Sequence, residues 1–239
     1  MTKWKMLPLV LWLMILLSSC HEDSICEKGE GPIIREEIFL PAFHSIKNNT
    51  VADIYLQQGN EQKIIAEGQE DIIDLLELAV KSGEWEINFD RNCVYNFDGL
   101  KLFITLPEIR SVQAINGGNI YSDGLMKVDE LTALTNGLGE IELFVEASRI
   151  DARTESRGSI KLSGTTNEAF YTIRGAGSIH GFELNTKITE AVVRHTGNVE
   201  TTVTEELKVL IEGKGDVYYK GFPEKDITID GQGEVKNVN

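Results

Sequence analysis

The sequence has few of the residues on which metal, redox and nucleic-acid sites depend. Its 239 residues include 3 cysteines and 4 histidines, and no histidine stands in an HExxH motif or at metal-ligand spacing from a cysteine. Basic residues are also scarce, with 23 Lys and Arg against 38 Asp and Glu, a net charge of −15. Such a charge repels nucleic acid and anionic surfaces. We therefore predict no metal, no cofactor and no nucleic-acid partner.

The chain also lacks an apolar run long enough for a membrane-spanning helix. Its longest run, residues 6–17, follows two lysines and has the length of a signal-peptide core. The segment Leu17-Ser18-Ser19-Cys20 comes next and resembles the lipobox of bacterial lipoproteins. We predict a signal peptide over 1–19 and a lipid anchor that holds Cys20 at a membrane. The alternative is an ordinary cleavable signal.

Residues 20–31 are polar and contain glycine, which predicts a tether between the anchor and the folded body. The acidic pair after His21 resembles the surface-export signal of Bacteroidota lipoproteins, although a plain solvated tether fits equally well. We expect an outer-membrane lipoprotein of the cell envelope, on its surface or its periplasmic side. Exported proteins fold where disulfides persist, so Cys26 and Cys93 form either a bridge or two buried thiols.

Residues 32–109 alternate in short β-like pieces separated by turns, which predicts an N-terminal β section that caps the rest. One segment differs, because apolar residues at helical spacing and the acidic pair Glu70-Asp71 predict a helix over 70–80.

Residues 110–239 contain a repeat of about 19 residues with no helix. Ile or Val follows each repeated glycine by two residues, and apolar residues precede it at even offsets, so one parity points inward. We predict an all-β fold, a right-handed parallel β-helix or β-roll, with each glycine at a corner that requires positive φ. One corner per coil is favoured over two corners per larger coil. The corner glycines are Gly118, Gly139, Gly158, Gly177, Gly197, Gly215 and Gly233.

Several segments, taken in order, resemble the head GIN domain family of auto-transporter adhesins. The opening run is CEKGEGPIIR at 26–35, followed by FLPAFHSI at 39–46 and VADIYLQQG at 51–59. The later ITLP at 104–107 and GGNI at 117–120 also match, and the similarity covers nearly all of 26–239. The resemblance implies a β-helix-like fold, an adhesin role and frequent occurrence as Bacteroidota lipoproteins. It supplies no catalytic residues.

Catalysis is not predicted, although β-helices also host polysaccharide lyases and hydrolases. We expect a binding module for a carbohydrate or for an envelope or host surface. A glycan-active enzyme and a purely structural envelope protein are the alternatives. Charged residues with outward parity that such an enzyme would use are Asp151, Arg153, Glu155, Arg157 and Arg174. Aromatic residues whose clustering would favour binding are Tyr121, Phe144, Tyr171, Phe182, Tyr218 and Tyr219.

The end of the chain offers no capping segment after the last repeat. Residues 235–239 end on a strand-like stretch, and an unpaired strand edge pairs readily with another chain. We therefore expect that this end could support a homo-oligomer.

Overall fold

The structure is a computed structural model that describes residues 26–91, 93–95 and 99–239. The predicted signal peptide, the lipidation site Cys20 and the start of the tether lie outside these residues. Within the described part, no helix has the length and apolarity needed to cross a membrane.

Strands dominate the described residues, with a short helix near residue 70. The elements are β1 (Glu27–Lys28), β2 (Ile33–Glu37), β3 (Ser45–Asn48), β4 (Asp53–Gln58), β5 (Lys63–Gln69), α1 (Glu70–Ile73), β6 (Val80–Lys81), β7 (Glu84–Ile87), β8 (Val94–Tyr95), β9 (Lys101–Leu106), β10 (Ser111–Ala114), β11 (Ile120–Ser122), β12 (Met126–Thr135), β13 (Ile141–Thr154), β14 (Ile160–Ile173), β15 (Ile179–Val193), β16 (Val199–Ile211), β17 (Val217–Lys220), β18 (Glu224–Ile229) and β19 (Val235–Asn237).

Consecutive coils stack as parallel strands, which confirms the all-β solenoid predicted from the repeat. Ile141 pairs with Ile160, and Ile160 pairs with Ile179. Each step therefore advances the chain by one repeat, so one glycine corner per coil is confirmed. The strand β13, for example, has two buried stretches, first Ile141, Leu143 and Val145 and then Ile150, Ala152 and Thr154, and the inward parity changes between them.

The corner glycines are needed for close approach between coils. None of the seven has a positive φ, so the conformational reason predicted from the sequence is wrong. A Cβ atom on Gly177 would overlap the carbonyl oxygen of Gly158, and one on Gly197 would overlap that of Gly177. The seven glycines lie buried above one another, and any side chain there would separate the stacked coils.

At several corners the polar residue that follows the glycine links neighbouring coils. Asn119 Oδ1 accepts a hydrogen bond from the Glu140 backbone N–H at 2.9 Å. Asn198 Oδ1 accepts one from the Asp216 N–H at 2.8 Å, and Asp216 Oδ1 accepts one from the Glu234 N–H at 2.8 Å. These side chains satisfy backbone donors at a corner, where the ladder of strand hydrogen bonds is interrupted.

The N-terminal strands and the repeated coils belong to one 17-stranded sheet, but the N-terminal strands join it out of chain order. β3 pairs in parallel with β7 on one side and with β10 on the other. β4 likewise lies between β9 and β11. Antiparallel strands β2, β5 and β6 then close this end of the stack. The domain boundary between residues 109 and 110 stays a prediction.

The helix is shorter than the 70–80 segment predicted from apolar spacing. It covers only Glu70–Ile73, and Leu76 instead forms an antiparallel bridge with Phe89. The backbone N–H of Glu77 donates to the carbonyl of Asn88 at 2.9 Å. Tertiary strand pairing therefore overrides local helical spacing in this segment.

The N-terminal segment is held against the closed end by three sets of contacts. Cys26 and Cys93 form a disulfide with a Cα–Cα distance of 4.6 Å, and β1 pairs in parallel with β8. Asp71 Oδ2 accepts hydrogen bonds from the N–H groups of Glu30 and Gly31 at 2.7 and 3.1 Å. Cys26, the first described residue, therefore lies at this end of the solenoid.

Candidate binding surface on the outer face of the solenoid

One line of outward-pointing side chains runs along the stack, from the end closed by the N-terminal strands to the end formed by the last repeat. Each member stands one residue after an inward apolar residue, so successive coils place these side chains side by side. With about 4.8 Å between coils, the line is about 43 Å long. We call it the outer row. It consists of Ile65, Phe103, Tyr55, Tyr121, Glu142, Lys161, His180, Glu200, Tyr218 and Lys236.

The half of the outer row near the closed end is aromatic. The Tyr55 and Phe103 rings stack with centroids 5.1 Å apart, and Tyr121 continues the series 5.6 Å from Tyr55. The Arg35 guanidinium lies over the Phe103 ring at 4.9 Å. All three residues are half-buried, so part of each side chain remains accessible to solvent. Tyrosine, phenylalanine and arginine are the residues most enriched at protein-binding surfaces.

The other half of the outer row is charged and largely paired within the chain. Lys161 Nζ lies 2.7 Å from Glu142 Oε1, and His180 Nδ1 lies 2.9 Å from Glu200 Oε2. These pairs are solvent-exposed, so they contribute little to stability. The aromatic half is therefore the part of the outer row that offers the larger apolar area to a ligand.

The aromatic half ends in an acidic environment at Tyr121. Burial of the ring raises the pKa of the Tyr121 phenol, and the negative charges of Asp53, Glu140 and Glu142 raise it further. Each of these effects disfavours a negative charge on the phenol. The potential at this end of the aromatic series is therefore negative.

The aromatic residues predicted from the repeat do not form one patch. Tyr171 and Tyr219 point inward and are 1% and 6% exposed, so neither is available to a ligand. Phe144 is half-exposed two residues after Glu142 on β13, so it stands beside the outer row and not in it.

Two other predicted aromatics are engaged by lysines of a neighbouring coil. Lys220 lies over the Phe182 ring at 4.5 Å, and Lys236 lies 5.6 Å from the Tyr218 ring. Only Tyr121 among the predicted set joins an aromatic cluster. Its partners Tyr55 and Phe103 were missed, because they belong to coils outside the glycine repeat.

The structure also has an open groove of about 770 Å³, where residues 107–111 face the start of β12. Its lining includes Glu108, Arg110, Asp129 and Asp151. The Arg110 guanidinium donates a hydrogen bond to Glu108 and lowers the pKa of that carboxyl. A general acid for glycoside cleavage needs a raised pKa, so Glu108 does not suit that role.

The charged residues considered for catalysis form separate ion pairs. Arg153 Nη2 lies 2.6 Å from Asp151 Oδ2, and Arg174 Nη1 lies 2.9 Å from Glu155 Oε1. Arg157 is exposed at the corner beside Gly158. The structure does not gather the five into one site. In the described residues, no group of three or more His, Cys, Asp or Glu side chains could hold a metal ion.

Residues 42–223 match a family model described as "Putative auto-transporter adhesin, head GIN domain". The chain belongs to this family. Membership of the head GIN domain family confirms the resemblance found in the sequence. It indicates a cell-surface or envelope protein that binds a ligand, and it favours a non-catalytic role.

Solved structures of similar fold support the architecture. A protein from Bacteroides fragilis, described as "a putative adhesin", has a TM-score of 0.84 and 24% identity, over 88% of this chain and 99% of that one. A Parabacteroides distasonis protein described as a "Putative lipid binding protein" has a TM-score of 0.76 and 21% identity, over 89% and 99%. Another adhesin-like protein from that species has a TM-score of 0.70 and 21% identity, over 89% and 99%. No match is found among curated proteins.

Proposed function

We propose that this protein is an exported adhesin, anchored to the cell envelope by a lipid on Cys20, that binds a surface ligand through the aromatic half of its outer row. The series of rings carries the proposal. Tyr55, Phe103 and Tyr121 present rigid, half-buried rings side by side on the sheet, and Arg35 lies at the end of the series. Tyrosine-rich surfaces of this kind bind partners at a low cost in side-chain entropy.

Membership of an adhesin family supports a binding role rather than an enzymatic one. The ion-paired carboxylates of the groove also favour binding, since a hydrolase needs one carboxyl held protonated and a second one ionised. The flat outer row presents a ligand to solvent without enclosing it.

Binding is tested with the purified protein on a glycan array and on arrays of extracellular and envelope proteins. We expect saturable binding that falls about tenfold in the double variant Tyr55→Ala/Tyr121→Ala, as loss of two interface aromatics would require. The matched control is Tyr218→Ala, a tyrosine of the same row outside the aromatic half. Equal binding by all three proteins would contradict the proposal, and release of any glycan product would favour an enzyme instead. Liposome binding is a useful parallel assay, because one structural relative is described as lipid binding.

The anchor is tested separately from the ligand. Cells that express the protein are labelled with radioactive palmitate, and we expect label in the wild type and none in Cys20→Ala. Protease treatment of intact cells then distinguishes a surface location, in which the protein is degraded, from a periplasmic one, in which it survives. Unlabelled wild-type protein would exclude the lipid anchor.

A further inference from the structure

Four aromatic rings on the outer faces of the solenoid have a cation of the chain beside them. Arg35 lies over Phe103 at 4.9 Å, and Arg149 lies over Phe170 at 3.8 Å. Lysines lie 4.5 Å from the Phe182 ring and 5.6 Å from the Tyr218 ring. A cation near the face of an aromatic ring is attracted to its negative quadrupole.

The pair Tyr55 and Tyr121 departs from this pattern. Among the described residues, no Lys or Arg side chain lies over either ring. Tyr121 contacts Tyr55 on one side, and Glu142 is the next member of the row on the other side, one coil away. The half-buried Tyr121 ring therefore stays partly accessible, without a cation of the described residues over it.

Carboxylates surround this uncovered ring. Asp53, Glu140 and Glu142 all act on the Tyr121 phenol, and Glu183 lies close enough to Lys161 to act on that ammonium. Lys161 neutralises Glu142, with an N–O distance of 2.7 Å. Asp53 accepts a hydrogen bond only from the neutral amide of Asn119, at 2.8 Å, and Glu140 has no ion-pair partner in the described part of the chain. Glu140 also acts on the Lys161 ammonium, so one lysine stands among four carboxylates. The surface therefore combines a partly exposed aromatic ring with an excess of negative charge.

We infer that Tyr121, together with Asp53, Glu140 and Glu142, forms the docking site for an Arg or Lys side chain on a basic protein segment. This inference rests on the proposed function and specifies the ligand of the same surface. A guanidinium or ammonium over Tyr121 would supply the cation that the chain supplies at its other rings, and its charge complements the carboxylates. The flat sheet and the enrichment in Tyr, Phe and Arg favour a protein partner over a glycan, which is more often held in a groove.

The test uses the purified protein and a nona-arginine peptide as the probe, with binding measured by calorimetry at low and at physiological salt. We expect Tyr121→Ala to weaken binding about threefold to tenfold, and Tyr121→Phe to bind like the wild type because the ring is retained. The double variant Glu140→Gln/Glu142→Gln should weaken binding by a similar factor. Its control, Glu205→Gln/Glu224→Gln, removes the same charge from exposed positions away from the site and should weaken binding much less. Circular dichroism of each variant confirms that the fold is intact.

The outcomes separate this inference from the proposed function. If both double variants lose the same affinity and Tyr121→Ala loses none, the peptide is held only by the net charge of −15 and the inference fails. If a chitosan oligomer binds through Tyr121 and nona-arginine does not, the partner is an amino-glycan and a protein partner is excluded. If only neutral ligands bind through Tyr121, the adhesin surface stands and the cationic partner is wrong. If nothing binds through Tyr121, both fail.

Discussion

Each corner glycine after Gly118 lies against the carbonyl oxygen of the corner glycine one coil earlier, and this contact leaves no room for a methyl group. We expect Gly177→Ala, in the middle of the stack, to lower the free energy of unfolding by about 3 kcal/mol, because the coils must separate to admit the Cβ atom. Urea denaturation measures the change.

Gly117, which stands beside the corner glycine Gly118, provides the control for Gly177→Ala. A Cβ atom there would meet only Val51 Cγ1, at an ordinary contact distance of 3.8 Å, and no unusual φ is involved. We expect Gly117→Ala to change the free energy of unfolding by less than about 0.5 kcal/mol. Equal losses at the two positions would show that close approach between coils is not the reason for the corner glycines.

Asp216 links three coils, and its ionisation should appear in the acid stability of the protein. A hydrogen bond from Lys236 lowers the pKa of the Asp216 carboxyl, aided by the Glu234 backbone N–H and the Tyr218 hydroxyl. A carboxyl with a lowered pKa stabilises the folded state above its unfolded pKa of about 4, and this stabilisation is lost as pH falls through the folded pKa.

We therefore expect the wild type and Asp216→Asn to differ in unfolding free energy above pH 5, and the difference to shrink as pH falls below about 4. Urea denaturation at a series of pH values measures it. Parallel pH profiles for the two proteins would mean that the carboxyl has the same pKa in both states.

At the scale of elements, several polar residues that follow the corner glycines form hydrogen bonds between successive coils. Asn198→Ala would leave the Asp216 N–H without its acceptor, so we expect a loss of about 1 kcal/mol in urea denaturation. Ser159 occupies the equivalent place two repeat units earlier but accepts no such bond from the described residues, so Ser159→Ala should cost much less. A larger loss at Ser159 would contradict this account.

The repeated coils are predictable from sequence because their information is local. A glycine every 18 to 21 residues, with Ile or Val two residues later, specifies both the corner and the inward parity. The N-terminal coils lack this signal, and their order depends on β3 pairing with β7 and β10, which lie on opposite sides of it. The end of α1 likewise depends on the distant Phe89, so local spacing predicted too long a helix.

The candidate site was only partly predictable for the same reason. Tyr121 follows a corner glycine and was identified with its repeat. Tyr55 and Phe103 come from coils that the chain visits out of order, and their stacking appears only when β4 and β9 are paired in register. Proximity of residues distant in sequence is a tertiary property, and residue spacing does not encode it.

At the scale of the whole molecule, the two ends of the solenoid differ. Antiparallel strands and α1 close the end where the N-terminal segment is held. At the other end, Ile227 and Ile229 stack on Val209 and Ile211 but stay 38% and 46% exposed, whereas the residues beneath them are 4% and 0% exposed. This end presents inward apolar side chains and two unpaired strand edges, the arrangement that promotes association between chains.

We expect Lys225 to protect this open end from self-association. Its register with Leu207 gives it the same inward parity as Ile227 and Ile229, and its ammonium lies 3.4 Å from the Tyr219 hydroxyl. An inward-pointing charge on an edge strand opposes pairing with a second edge, because the stacked ends would have to desolvate it.

We expect Lys225→Ile to complete an apolar inward row and to cause end-to-end association, measured by light scattering after gel filtration. Lys187→Ile removes an exposed lysine from β15, a strand paired on both sides, and should leave the molecular mass unchanged. A Lys225→Ile variant with the mass of the wild type would show that other features of the last coil, such as the Asn239 side chain bound to Gly221, suffice to block pairing.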